Sequence, residues 1–197
     1  MSFVANTVAA TKRQKLAELK TRMKKDFAPE KLWFFKDDSG AIAGYLGTDP
    51  VMFVGQRPST GRGGFTRSAT GGASGFFTLL AEYEFGRAHI TDLVKGQMKV
   101  GIPSDEQVDR NWPYFQEELE IVRPRIVVAL GDWVHRILKH RIESQILVEH
   151  IMHYSYRFIS RAEREKRLRD GLARIRSKVD ATLATTAERT IANADKD

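Results

Sequence analysis

The chain has no cysteine. This excludes disulfides, thiolate zinc sites, a cysteine nucleophile and a cysteine-bound iron–sulfur cluster. No apolar run approaches the roughly 20 residues of a membrane-spanning helix, so no membrane contact is expected. The first residues, Met1-Ser2-Phe3-Val4-Ala5-Asn6, lack a basic segment followed by an apolar core. No secretory signal is read there, and a cytoplasmic location is expected. Acidic residues are in deficit: 25 Asp and Glu stand against 32 Lys and Arg, for a net charge of +7. Such an excess favours polyanions, because each neutralised phosphate releases counterions. On charge alone, nucleic acid and an ordinary basic surface weigh about equally. Internal repeats, a P-loop, the dinucleotide fingerprint and Gly-x-Ser-x-Gly are also absent.

What is present is an ordinary globular composition, 42% hydrophobic over 197 residues. It suits one domain with helical extensions at both ends. Leu16, Leu19, Met23 and Phe27 form an apolar stripe at three- and four-residue spacing. They predict a basic N-terminal helix within residues 1–30, its other faces carrying Lys12, Arg13, Lys15, Lys20, Arg22, Lys24 and Lys25. Such a charge run is more often a solvated face than a phosphate contact. A central α/β domain is read over 31–160, and a basic helix and tail over 161–197.

In the centre, strands alternate with helices. Apolar runs at 51–54, 88–94, 125–130 and 146–149 are read as strands. Lys31 to Leu46, with turn residues Asp37-Asp38-Ser39-Gly40, suggests a hairpin. Ser74 is placed to cap the helix after the first strand. Ser104 with Gln107 has the capping-box pattern, and Pro113 should kink or restart the helix behind it. The alternation predicts a three-layer α/β/α sandwich on a four-stranded, mostly parallel sheet. Its carboxyl edge would gather Gly55 to Ser59, Asp92 to Lys95, and His153 to Arg157.

Ligands of open α/β sheets sit at such an edge. The Gly-rich stretch Gly61-Arg62-Gly63-Gly64 either cradles phosphate or simply permits tight turns. Asp92 either accepts hydrogen bonds from a ligand or caps a loop. His153, directly after a strand, is poised between a structural and a functional role. His150 and His153 lack further ligands, so no metal and no cofactor is expected.

Four segments in order resemble the uracil-DNA glycosylase superfamily. They are Phe53-Val54-Gly55-Gln56-Arg57-Pro58-Ser59, Ile90-Thr91-Asp92-Leu93-Val94-Lys95, Leu119 to Asp132, and His153-Tyr154-Ser155-Tyr156-Arg157. The resemblance spans about residues 50 to 160. It implies a monomeric enzyme that flips a damaged or deaminated base out of DNA and hydrolyses its N-glycosidic bond. His153 would donate a hydrogen bond to the base oxygen. Gln56 and Arg57 would stand in the catalytic first motif. Gly55, Asp92 and Phe65 would surround the base, with Phe76 as a second stacking candidate. Ser59, Lys95, Ser155, Tyr156 and Arg157 would face DNA, Tyr156 or Arg157 as a minor-groove wedge.

This chain departs from the superfamily's pattern at two of these positions. Arg57 stands where a carboxylate often activates water. Asp92 replaces a base-reading Asn; an ionised carboxylate only accepts, which suits a donor-rich edge such as cytosine. Two other readings stay open. One is a catalytically inactive nucleic-acid-binding protein with the same fold. The other is a nucleoside hydrolase that uses the Gly-rich loop.

Overall fold

The apolar runs become one sheet. The computed structural model describes residues 2–35, 42–58, 72–96, 101–156 and 158–194. Its strands are β1 (Val51–Gly55), β2 (His89–Asp92), β3 (Ile126–Leu130) and β4 (Leu147–Ile151). All pairings are parallel, in the order β2-β1-β3-β4. β1, β2 and β3 are buried along their whole length, as expected of strands covered on both faces.

Among the described residues, five α-helices complete the order: α1 (Ser2–Asp26), α2 (Gly72–Glu82), α3 (Asp105–Val122), α4 (Asp132–Arg141) and α5 (Arg161–Ala194). On one face, Phe53, Ile90, Val128 and Ile151 pack with Phe76 and Leu80 of α2 and Leu172 and Ile175 of α5. On the other, Met52, Val54, Val127 and Ala129 meet Val108 and Phe115 of α3 and Val134 and Leu138 of α4. A third cluster joins α1 to α3 through Leu16, Leu19, Met23, Tyr45 and Val122. The predicted α1 stripe is thus its buried face.

Several local expectations change. The Ser104–Gln107 box is present: Gln107 N–H donates to Ser104 Oγ at 3.3 Å, and Ser104 N–H donates to Gln107 Oε1 at 3.0 Å. Pro113 does not break α3, which is continuous across it. Pro113 is exposed, so the carbonyl it leaves unbonded is on the wet side, while Val108, Phe115 and Val122 anchor the opposite face. Ser74 lies inside α2, which begins at Gly72, so it does not cap it. The hairpin's turn lies outside the described residues. Its second arm is not a strand: Gly44–Leu46 forms a 3-10 turn, started by Gly44 at φ 55°.

The order places a reversal between β1 and β3. The chain moves from β1 to β2 through α2 on one face, then crosses back over β1 through α3 on the other. Opposite moves over opposite faces share one hand, and parallel sheets favour the right-handed crossover. The crevice at the carboxyl ends of β1 and β3 is therefore the switch point where such sheets bind ligands.

Candidate functional site

Gly55 ends β1 opposite Asp92, the last residue of β2. The pairing continues beyond both strands: Leu93 N–H donates to Gly55 C=O at 2.8 Å, and Val94 N–H to Gln56 C=O at 3.1 Å. This brings the Asp92 carboxyl over the Gly55 Cα, where a Cβ would lie 2.2 Å from Oδ1. Glycine at position 55 leaves room for that carboxyl. Gln56 and Arg57 are half-buried beside it. Arg57 Nε donates to Gly101 C=O at 2.9 Å, and its charge acts on Asp92.

His153 follows β4 and lies against Gly131, the residue after β3, with a virtual Gly131 Cβ 3.5 Å from His153 Cβ. Gly131 has φ 98°, a conformation that favours glycine. Ser155 N–H donates to His153 Nδ1 at 3.1 Å, and Ser155 Oγ lies 2.8 Å from the same nitrogen. An accepting Nδ1 puts the imidazole proton on Nε2. Desolvation pushes His153 down to about 4, so the ring is neutral at neutral pH. It is a neutral donor, fixed in one tautomer by its own loop.

The His153 ring stacks on Tyr154 at 4.5 Å, and Tyr154 stacks on Phe76 at 4.9 Å. Burial, then the charge of Asp92, raises the Tyr154 phenol above its ordinary range. Phe76 is fully buried and also meets Phe53 edge-on. It is core and cannot stack on a base, which corrects that expectation.

Lys95 needs the same correction. It is 1% exposed, and its ammonium donates to the Asp92 backbone carbonyl at 2.5 Å and pairs with Glu118 of α3 at 3.0 Å. It cannot reach a phosphate. Around Glu118, Tyr45 Oη donates at 2.9 Å, while His89 Nε2 stands 3.7 Å away, too long for a hydrogen bond. Burial raises Glu118, but Lys95 and His89 overcome it, and the net direction is below the ordinary carboxylate value. Asn111 Oδ1 accepts from Lys95 N–H at 3.1 Å. A fully buried polar network thus underpins the end of β2.

No protein-family model matches the chain, and no curated protein sequence matches it. The site rests on its own geometry.

The structure brings Gly55, Gln56, Arg57, Asp92, His153 and Ser155 to the carboxyl edge. Phe65, Ser59 and Arg157 lie outside the described residues. Tyr156 is exposed and meets Phe158 edge-on at 5.4 Å. Phe158, at 87% exposure, is the most exposed large apolar side chain among the described residues. Sequence reasoning missed it, although an aromatic following a histidine loop and preceding a basic helix was visible. His150 faces Asp132 and stacks on His135 of α4. Among the described residues, no three potential ligands converge on a metal position. A cavity of about 630 Å³ lies at the amino ends of β3 and β4, around Trp112, Arg125, Arg141 and Leu147, remote from these groups.

Proposed function

We propose that the protein is a DNA glycosylase-like base-recognition protein of the uracil-DNA glycosylase type. The supporting observation is His153. It is a neutral imidazole locked with its proton on Nε2, held against Gly131 at the carboxyl edge of a parallel sheet. Cleavage of an N-glycosidic bond leaves negative charge on the departing base. A preorganised neutral donor aimed at the base oxygen stabilises that charge without first losing a proton of its own. The bond from the base nitrogen to C1′ breaks with its electron pair going to the base. Water adds to C1′ and releases a proton, which the base anion takes up. The exposed Tyr156–Phe158 pair suits the space left in the duplex when a base is flipped.

A second reading has its own support. Arg57, in the first motif, is held by Gly101 and brings a cation where a developing sugar cation would be opposed. That favours a binding protein which keeps the site and performs no hydrolysis.

Oligonucleotides carrying uracil, hypoxanthine, alkylated bases or mismatches, followed by alkaline cleavage of abasic sites, separate the readings. Excision that falls at least about 100-fold in His153→Ala supports the enzyme. Excision unchanged in that variant removes His153 from the chemistry. No excision on any substrate, with salt-sensitive DNA binding retained, selects the binding protein.

A further inference from the structure

We propose that Asp92 reads the bound base as a carboxylic acid, one oxygen accepting and the other donating, so that a lactam-edged base is taken only while that proton is present. This rests on the base-recognition reading above and deepens it with a selectivity that changes across neutral pH.

The first ground is geometric. The Asp92 carboxyl lies directly over the Cα of Gly55, at the carboxyl edge of the sheet that His153 also reaches, beside Gly131. The residue is 5% exposed. The nearby protein donors do not serve its side chain: Lys95 Nζ and Thr91 Oγ1 both address the Asp92 backbone carbonyl. Among the described residues, none hydrogen-bonds the carboxyl oxygens. A buried carboxylate without donors is far costlier than the corresponding acid. Unmatched polar atoms at a binding edge are the groups a ligand satisfies.

The second ground is the surrounding charge. Among the described residues, Arg57 faces Asp92 from the segment after β1, Lys95 from beyond β2, Glu118 from α3 and Tyr154 from the segment after β4. His153 stands behind Tyr154 in the stack and is neutral. Tyr45 and His89 attend Glu118. The two cations favour the carboxylate. Glu118 opposes it and already engages the Lys95 ammonium at 3.0 Å. Desolvation outweighs the cations, and the carboxyl is pushed up to about 7.

This reverses the expectation of an ionised, acceptor-only reader. A lactam edge sets a ring N–H beside a carbonyl, as in uracil or hypoxanthine. The acid meets both, its C=O accepting from the N–H and its O–H donating to the carbonyl. The carboxylate keeps the first contact and repels the carbonyl. A cytosine edge has an amino donor beside a ring nitrogen. The acid fits it in the opposite sense, and the carboxylate still accepts from the amino group. Rising pH therefore removes lactam recognition first.

The test measures binding of single-stranded oligonucleotides that carry one uracil, hypoxanthine, cytosine or abasic site. Fluorescence anisotropy at fixed salt is read at about pH 5.5 and about pH 8.5 for wild type and Asp92→Asn. The preference of wild type for uracil and hypoxanthine over the abasic strand should fall about 30-fold, following the acid fraction. In Asp92→Asn, whose amide donates and accepts at both pH values, it should change less than about twofold. A preference that is equal at both pH values in wild type, or that falls as steeply in Asp92→Asn, overturns the inference. The side-chain carboxyl carbon of Asp92, followed by NMR in the DNA-free wild type, should titrate near neutrality. A midpoint in the ordinary carboxylate range also overturns it. If Asp92 titrates near neutrality but neither protein distinguishes any base from an abasic site, the base-recognition reading itself fails, and the inference with it.

Discussion

Ionising Asp92 in the folded protein places a charge over Gly55 with no described donor to meet it. The unfolded chain carries no such penalty. Its carboxyl titrates near the ordinary 3.8, while the folded one titrates at about 7. The folded state therefore binds the extra proton between those values. The stability linked to it is fully present below about 4 and is lost as pH rises to about 7. At about 1.4 kcal/mol per pH unit the loss reaches roughly 4 kcal/mol. Asp92→Asn cannot ionise, so it should melt above wild type at pH 8, with the gap closing toward pH 4. Calorimetric scans check this, and a variant that melts below wild type at pH 8 contradicts it. The chemistry of Asp92 could not be read from its residue type, because local sequence carries no measure of desolvation. The same holds for the neutrality of His153, which burial sets, while Ser155 two residues away fixes its tautomer.

At the scale of elements, β2 is held by contacts along its whole length. Its start abuts the 3-10 turn, where a Cβ on Gly47 would lie 2.0 Å from the Ala88 carbonyl oxygen. That neighbour is backbone and cannot swing aside. Gly47→Ala should lower the denaturant midpoint by the equivalent of about 2 kcal/mol or more, and a neutral result would show that the turn can move. Its end is joined to α3 by Lys95 and Glu118. Lys95→Met leaves a buried carboxylate unpaired and should cost about 3–5 kcal/mol. The double variant Lys95→Met with Glu118→Leu should cost less than the single one. Urea unfolding of wild type, the single variant and the double variant checks the order, and a double variant that costs as much as the single one or more would contradict it. The strands and α3 were legible in the sequence, because apolar runs and a capping box are local patterns. The 3-10 turn was not, since Ala41 to Leu46 reads as a short apolar run and only the packing of Tyr45 against Glu118 decides its shape.

Over the whole molecule, many basic side chains are internally matched, and the net excess is what these pairs leave over. Arg141 pairs with Asp109, Arg167 with Glu163, Arg169 with Glu82, Arg176 with Asp180 and Lys178 with Glu149. Arg13, Lys15, Lys24 and Lys25 of α1 make no ion pair among the described residues and remain exposed. The net +7 is thus a field rather than a docking map. Under the proposed base-recognition function, affinity for DNA should fall linearly in log–log form as salt rises, with a slope that counts the phosphates touched. Phe158 carries no charge. If it wedges into the duplex, Phe158→Ala should weaken binding by about 1–3 kcal/mol with the slope unchanged. Titrations at several salt concentrations check this, and wild-type affinity in Phe158→Ala removes the wedge.

The sequence by itself determined where the four sheet strands and the helices lie, that the sheet is mostly parallel, and which strand ends share an edge. Those follow from apolar periodicity, turn residues and crossover geometry, all local or nearly so. Only the tertiary structure decided that Lys95 points inward, that Phe76 is core, that burial holds His153 neutral and that burial pushes the Asp92 carboxyl up to about 7. Desolvation and charge at one atom are sums over Arg57, Glu118 and Tyr154, groups that are distant along the chain and adjacent only once it has folded.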